Sequence, residues 1–271
     1  MELTLSEQLT YSTVRIECNY RNGKKGTGTG YFFRFKDNKE AGTHIPVLIT
    51  NKHVIINAGF VRLIFSKSND KGEPLDSVQE AVCINDFDQH CQMHPDDDVD
   101  LCALALYPYI ANTANLFYIA LDMSLIPSSE ELADLTALED IIMIGYPNGL
   151  WDSKNNKPIL RKGITATHIA KDYCGKKEFM IDAACFPGSS GSPVFLLNEG
   201  AYQHRTGMRL GNRIKLLGTL YAGPQYLATG EIKVVEVPTI NVPMAISMIP
   251  INLGLVIKSE RIIELEILFN E

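Results

Sequence analysis

The sequence predicts an all-β protein. Short apolar runs recur along the chain, separated by Gly, Asn, Asp and Pro, as in strands joined by turns. At 271 residues, the chain has the length of a large single β unit. Its composition, 45% hydrophobic and 21% charged, is that of a soluble globular protein able to bury a sizeable core.

Strands are expected at residues 14–19, 28–35, 47–50, 61–66, 80–85, 101–106, 141–145, 163–169, 178–182, 194–197, 214–222 and 232–237. The glycines at 26, 28 and 30 open the second of these. They lack the spacing and the Lys-Ser/Thr of a phosphate loop, and Tyr31-Phe32-Phe33 continues them as strand. Close packing of neighbouring chains is their expected role. Ser129-Glu130-Glu131-Leu132 reads as a short helix start, a serine followed by acids. The tail 259–269 carries apolar residues at Ile262, Leu265 and Phe269, with Ile263 and Ile267 beside them. It is expected to form a terminal helix packed on the β structure.

The net charge of −7 and pI of 5.4 argue against a nucleic-acid partner. Residues 1–8 contain an early acid and no apolar core, unlike a signal peptide. The apolar stretch 245–257 is interrupted by Ser247, Pro250 and Asn252, too short to span a membrane. With no export signal, Cys18, Cys83, Cys91, Cys102, Cys174 and Cys185 are expected to be reduced thiols in a cytoplasm.

Three segments carry chemistry. Phe186-Pro187-Gly188-Ser189-Ser190-Gly191-Ser192-Pro193 holds a serine between glycines. Such a turn leaves room for an incoming carbonyl, and the amides of Gly188 and Ser190 can converge on an oxyanion. The run Val47-Leu48-Ile49-Thr50-Asn51-Lys52-His53 reads as a buried strand delivering a histidine at its exit, a rigid mount for a general base. In Asp98-Val99-Asp100-Leu101-Cys102, an acidic loop runs into an apolar strand. Asp100 abuts the strand, where a carboxylate can orient an imidazole; Asp98 is the alternative.

The order His53, Asp100, Ser190 is that of chymotrypsin-type enzymes, and the motifs agree. Thr50-Asn51-Lys52-His53-Val54 matches T-x-x-H-V, and Asp100-Leu101-Cys102-Ala103-Leu104 matches D-[IL]-x-x-[LV]. Residues 182–193 match D-A-x-x-x-P-G-x-S-G-G-P, with Ser192 for the second glycine. Weaker echoes are Gly26–Phe32, Ile144–Leu150 and Lys162–Ala166, so that the similarity covers roughly residues 12–225. The chain thus resembles the trypsin-like serine proteases, most of all the bacterial high-temperature-requirement branch. No peptide-binding PDZ domain, such as that branch's exported members carry, is expected within these 271 residues.

The resemblance implies two six-stranded antiparallel β-barrels, at about 10–112 and 135–240, with the site between them and a C-terminal helix at 259–269. It implies a Ser190 nucleophile, a His53 base, an Asp100 orienter and an oxyanion hole of the Gly188 and Ser190 amides. It maps the specificity pocket to Ala184 at the floor and to Thr219, Leu220, Tyr221, Ala222 and Gly223 along the wall. With no acid at the floor, a small or medium apolar residue is expected before the scissile bond. Ser189 stands where trypsins proper carry an aspartate that pairs with a newly cut N-terminus. The resemblance therefore implies an enzyme competent as synthesised, or switched by loop ordering or a regulatory partner. The competing reading is a latent protease-fold binding or sensor module of a larger bacterial system.

No cofactor or metal is expected. Cys83, His90, Cys91 and His94, with Asp96 and Asp97, fit no standard zinc spacing. His44, His168 and His204 have no partner legible in sequence and read as structural or surface residues. Cys102 and Cys185 read as small buried hydrophobes beside the site.

Overall fold

The short apolar runs become strand after strand in the computed structural model, which describes residues 3–228 and 247–269. The strand expected at 232–237 lies outside these residues. In the N-terminal half come β1 (Thr13–Tyr20), β2 (Lys25–Asn38), β3 (Thr43–Thr50), β4 (Ala58–Ser68), β5 (Pro74–Asn85), β6 (Gln92–Met93), β7 (Cys102–Ala105) and β8 (Leu116–Phe117). They form one antiparallel sheet in the order β5-β4-β1-β2-β3-β7-β6, with β8 beside β4. Ile16, Phe32, Leu48, Leu63 and Phe65 fill its concave side, all essentially inaccessible to water.

The second half contains β9 (Asp140–Gly145), β10 (Ile159–Thr165), β11 (Glu178–Asp182), β12 (Pro193–Asn198), the hairpin β13 (Ala201–His204) and β14 (Gly207–Leu210), and β15 (Arg213–Ala222). The pair β16 (Gln225–Ala228) and β17 (Ser247–Pro250) precedes β18 (Leu253–Lys258). Six of these strands close a barrel in the order β10-β11-β18-β15-β12-β9. Its interior holds Ile141, Phe179, Ile181, Val194, Leu217 and Val256.

The expectation of two closed six-stranded barrels is met once. The N-terminal sheet ends in β5 on one side and the two-residue β6 on the other, and the described pairings do not join these edges. The closed barrel also runs past the expected bound of 240. Its closing strand β18 pairs with both β11 and β15, whereas in sequence its residues are merely part of a longer apolar stretch.

A third apolar layer joins the halves. Tyr31, Phe33 and Ile49 of the first sheet meet Ile144, Phe195 and Leu216 of the barrel. Within it the Tyr31 hydroxyl hydrogen-bonds the Thr219 hydroxyl at 2.8 Å, satisfying two buried polar groups. The terminal helix Glu260–Glu266 packs on this layer through Ile262 and Leu265, followed by Phe269, while Ile263 and Ile267 face solvent. The other expected helix spans Ser129–Asp134. Its cap is Ser128 rather than Ser129, with Glu131 closing a reciprocal capping box.

Candidate active site

The register of β3 against β7 brings the first two functional groups together. Thr50 pairs with Cys102, so the chain leaving β3 passes the chain entering β7. Asn51 donates its side-chain N–H to the Asp100 carbonyl at 2.7 Å. The strand ends at Thr50, as expected, and His53 lies in the helical turn Lys52–Ile55 just after it. Its backbone N–H donates to Asp100 Oδ1 at 3.0 Å, and its ring Nδ1 hydrogen-bonds Asp100 Oδ2. The carboxylate thus fixes both main chain and ring. With the proton on Nδ1, Nε2 keeps an unshared electron pair. Asp98 lies apart, its side chain 81% exposed and 3.9 Å from Lys176 Nζ.

The serine segment crosses the joint between the halves. The Ser190 carbonyl accepts from Thr29 N–H at 2.9 Å, and Gly191 N–H donates to the Leu220 carbonyl at 2.8 Å. Gly191 has φ +86°, and a Cβ there would collide with the Thr29 carbonyl oxygen. Pro187-Gly188 forms the centre of a turn closed by Ser189 N–H to the Phe186 carbonyl at 2.9 Å, with Gly188 at φ +87°. Proline then glycine suits a type II turn. Asn148 N–H holds the Pro187 carbonyl at 2.5 Å from the far side. The central peptide is therefore oriented, and neither the Gly188 nor the Ser190 N–H donates to a described residue. Ser192 fits where the motif has glycine because its hydroxyl occupies the space a side chain at Gly145 would take. The Ser190 hydroxyl lies 3.5 Å from the Tyr221 carbonyl. No hydrogen bond joins it to His53 among the described residues.

A family profile, the trypsin-like peptidase domain, matches residues 28–202. The chain belongs to that family. It is a serine protease of trypsin-like fold. No curated protein is detectably similar to it in sequence. Among solved structures, the serine endoprotease of Yersinia pestis is 14% identical, covering 97% of this chain and 65% of its own, with a TM-score of 0.49. The HtrA-type protease AlgW with tripeptide is 15% identical over 94% of this chain and 58% of its own, TM-score 0.43. A point mutant of Rv3671c from M. tuberculosis, in its inactive form, is 13% identical over 94% and 84%, TM-score 0.44.

In this trypsin-like chain a cleft of about 290 Å³ opens beside Ser190. Leu220, Tyr221, Ala222 and Gly223, which the resemblance mapped to a pocket wall, line it together with Cys185, Phe186, Pro187 and Pro224. Two of the expected pocket residues do not line it. Ala184 is absent from the lining, where Cys185 takes the place. Thr219 is turned into the joint, bonded to Tyr31.

Burial raises the Cys185 thiol to about 11 and the Cys18 thiol to about 12, and raises Cys102 as well. All six cysteines are unbridged. Tyr221 directs its hydroxyl to Glu178 Oε2 at 2.9 Å, and burial with that carboxylate raises its pKa. Residues 26–30 lie within β2. His168 accepts from Ala170 N–H, and His204 is buried beside Thr206. Among the described residues no group of His, Cys, Asp and Glu is arranged to hold a metal. His94, which sequence reasoning set aside, is buried and faces the terminal helix. Neither its partner nor the helix contact has a local sequence signal.

Proposed function

We propose that this serine protease cuts peptide bonds through an acyl-enzyme formed on Ser190. The observation that carries the reading is the twofold hold of Asp100 on His53, at the backbone N–H and at ring Nδ1. His53 Nε2 takes the Ser190 hydroxyl proton as the oxygen attacks the scissile carbonyl. The Gly188 and Ser190 amides receive the tetrahedral oxyanion. His53 passes its proton to the leaving amine, the amine departs, and water, deprotonated by His53, releases the acid and regenerates Ser190.

Turnover requires the Ser190 hydroxyl to leave the Tyr221 carbonyl and come within hydrogen-bond reach of His53 Nε2. Substrate, loop ordering or a regulatory protein can supply that step. The cleft offers Cys185, Phe186, Ala222 and Pro224 and no carboxylate at its lining, which supports a small or medium apolar residue before the scissile bond.

The test is labelling with a fluorophosphonate, with Ser190→Ala as control. Labelling lost in the variant supports the assignment. A variant that still labels or still cleaves removes Ser190 from the mechanism, and a folded wild type that resists labelling favours the latent binding module. A peptide-library preference for Arg or Lys at the cut would overturn the specificity.

A further inference from the structure

The loop between β6 and β7, which carries Asp100, is pinned from outside the site. Asp96 is its corner. Asp96 Oδ1 accepts from Asp98 N–H at 3.0 Å, and its carbonyl accepts from Val99 N–H at 3.1 Å and from Lys52 Nζ at 3.0 Å. Its remaining oxygen, Oδ2, takes Arg261 Nη2 of the terminal helix at 2.6 Å. The Asp98 N–H and the Arg261 guanidinium hold the Asp96 carboxyl below the usual carboxylate range.

Arg261 is itself set in place. Its side chain is 12% exposed, and Nη1 pairs with Glu264 Oε1 at 3.0 Å one turn along the helix. Glu264 Oε2 lies 3.3 Å from Nε2 of His94, whose side chain is fully buried. His94 Nδ1 accepts from Asp96 N–H at 3.1 Å, and its own N–H donates to the Leu101 carbonyl at 2.9 Å. The helix therefore holds the loop at His94 and at Asp96, where its turn begins. Asp100 lies between Asp96 and Leu101, with Lys52 and His53 on the next segment.

We propose that Arg261 is a positioning residue for catalysis: by holding Asp96, the terminal helix fixes the loop that presents Asp100 to His53. This rests on the reading of Asp100 and His53 as catalytic. The pair Arg261–Asp96 joins residues 165 apart in sequence, so the state of the terminal helix reaches the site directly. Loss of the Arg261–Asp96 pair leaves Asp100 held by its contacts with Asn51 and His53, without that anchor on the terminal helix. A displacement near 1 Å at a catalytic group costs roughly 10²-fold.

The experiment compares Arg261→Ala, Arg261→Lys, Asp96→Asn and the double variant Arg261→Ala/Asp96→Asn with the full-length wild type. Circular dichroism establishes that each is folded. The expected result is a loss of kcat of roughly 10–100-fold in Arg261→Ala, with KM little changed. Lysine should restore part of the loss, since it reaches Asp96 without bridging Glu264. Asp96→Asn should lose a similar factor, and the double variant no more than either single change, because both break one contact. Glu260→Ala, which removes the Lys177–Glu260 pair at 3.3 Å on the same helix, should leave kcat unchanged.

A readout independent of turnover keeps the two readings apart. In Ser190→Ala the proton shared by His53 Nδ1 and Asp100 should give a low-field NMR signal, and Arg261→Ala should weaken or abolish it. An unchanged signal and unchanged kcat overturn the proposal and leave the mechanism standing. So does a loss of kcat that follows the folded fraction, or that is additive in the double variant. An inactive wild type whose signal still depends on Arg261 retires the catalytic reading alone. If Arg261→Ala does not fold, Asp96→Asn with Arg261→Lys carries the same test.

Discussion

Asp100 holds His53 at two points, its Oδ1 on the backbone N–H and its Oδ2 on ring Nδ1. One carboxylate therefore sets both the position of the helical turn and the tautomer of the ring. Asp100→Asn keeps the shape but offers an amide where an acceptor is needed. It should lower kcat by about 10⁴-fold, the cost of that change in a Ser-His-Asp triad. Asp98→Asn, at an exposed side chain, should leave kcat and fluorophosphonate labelling as they are. Equal losses in the two would mean that the loop, and not the carboxylate, matters.

Gly188→Ala tests the proposed oxyanion hole. At φ +87° an alanine is strained, and its Cβ would lie 2.6 Å from the Tyr146 carbonyl oxygen. The peptide must shift and its N–H with it. Loss of one such donor costs roughly 10²–10³-fold in kcat. Labelling rate and peptide turnover should fall together while the protein remains folded.

The cysteines predict a pH dependence. Burial keeps the Cys185 and Cys18 thiols protonated up to about 11 and about 12, whereas an unfolded chain releases such protons near pH ~8.5. The folded state then binds more protons than the unfolded one, and stability falls as pH rises above that point. Denaturant midpoints should decline from pH 8 toward 10. Thiol labelling with mass spectrometry near pH 8 should find the exposed Cys83 and Cys174 modified and Cys18, Cys102 and Cys185 intact until the chain unfolds.

Arg213→Met isolates stability from activity. Arg213 Nη2 pairs with Glu139 Oε2 at 2.7 Å, and the Glu139 side chain is only 6% exposed. Removing the cation leaves a buried carboxylate, at a cost of roughly 3–5 kcal/mol. The urea midpoint should drop accordingly. kcat of the protein that remains folded should match wild type, since the pair sits away from Ser190.

The strands at 14–19, 28–35, 47–50 and 178–182 were legible because short apolar runs bounded by turn residues are a local signal. So was the glycine turn around Ser190, because only glycine accepts the backbone at Gly191 against Thr29. The order His53, Asp100, Ser190 and its motifs are likewise properties of the chain alone. Strand pairing is not. The register of Thr50 with Cys102 puts Asp100, rather than Asp98, against His53. The pairing of β18 with β11 and β15 closes one barrel, while the N-terminal sheet ends at the short β6. Packing of the folded chain puts Cys185 in the wall of the cleft and turns Thr219 toward Tyr31. The grip of Arg261 on Asp96, the rotamer of Ser190 and the burial of His94 follow from how distant segments pack. The physical reason is one of range. Apolar runs and turn chemistry act between residues a few positions apart, whereas register, closure and side-chain partners are set by contacts between segments that only the folded chain brings together.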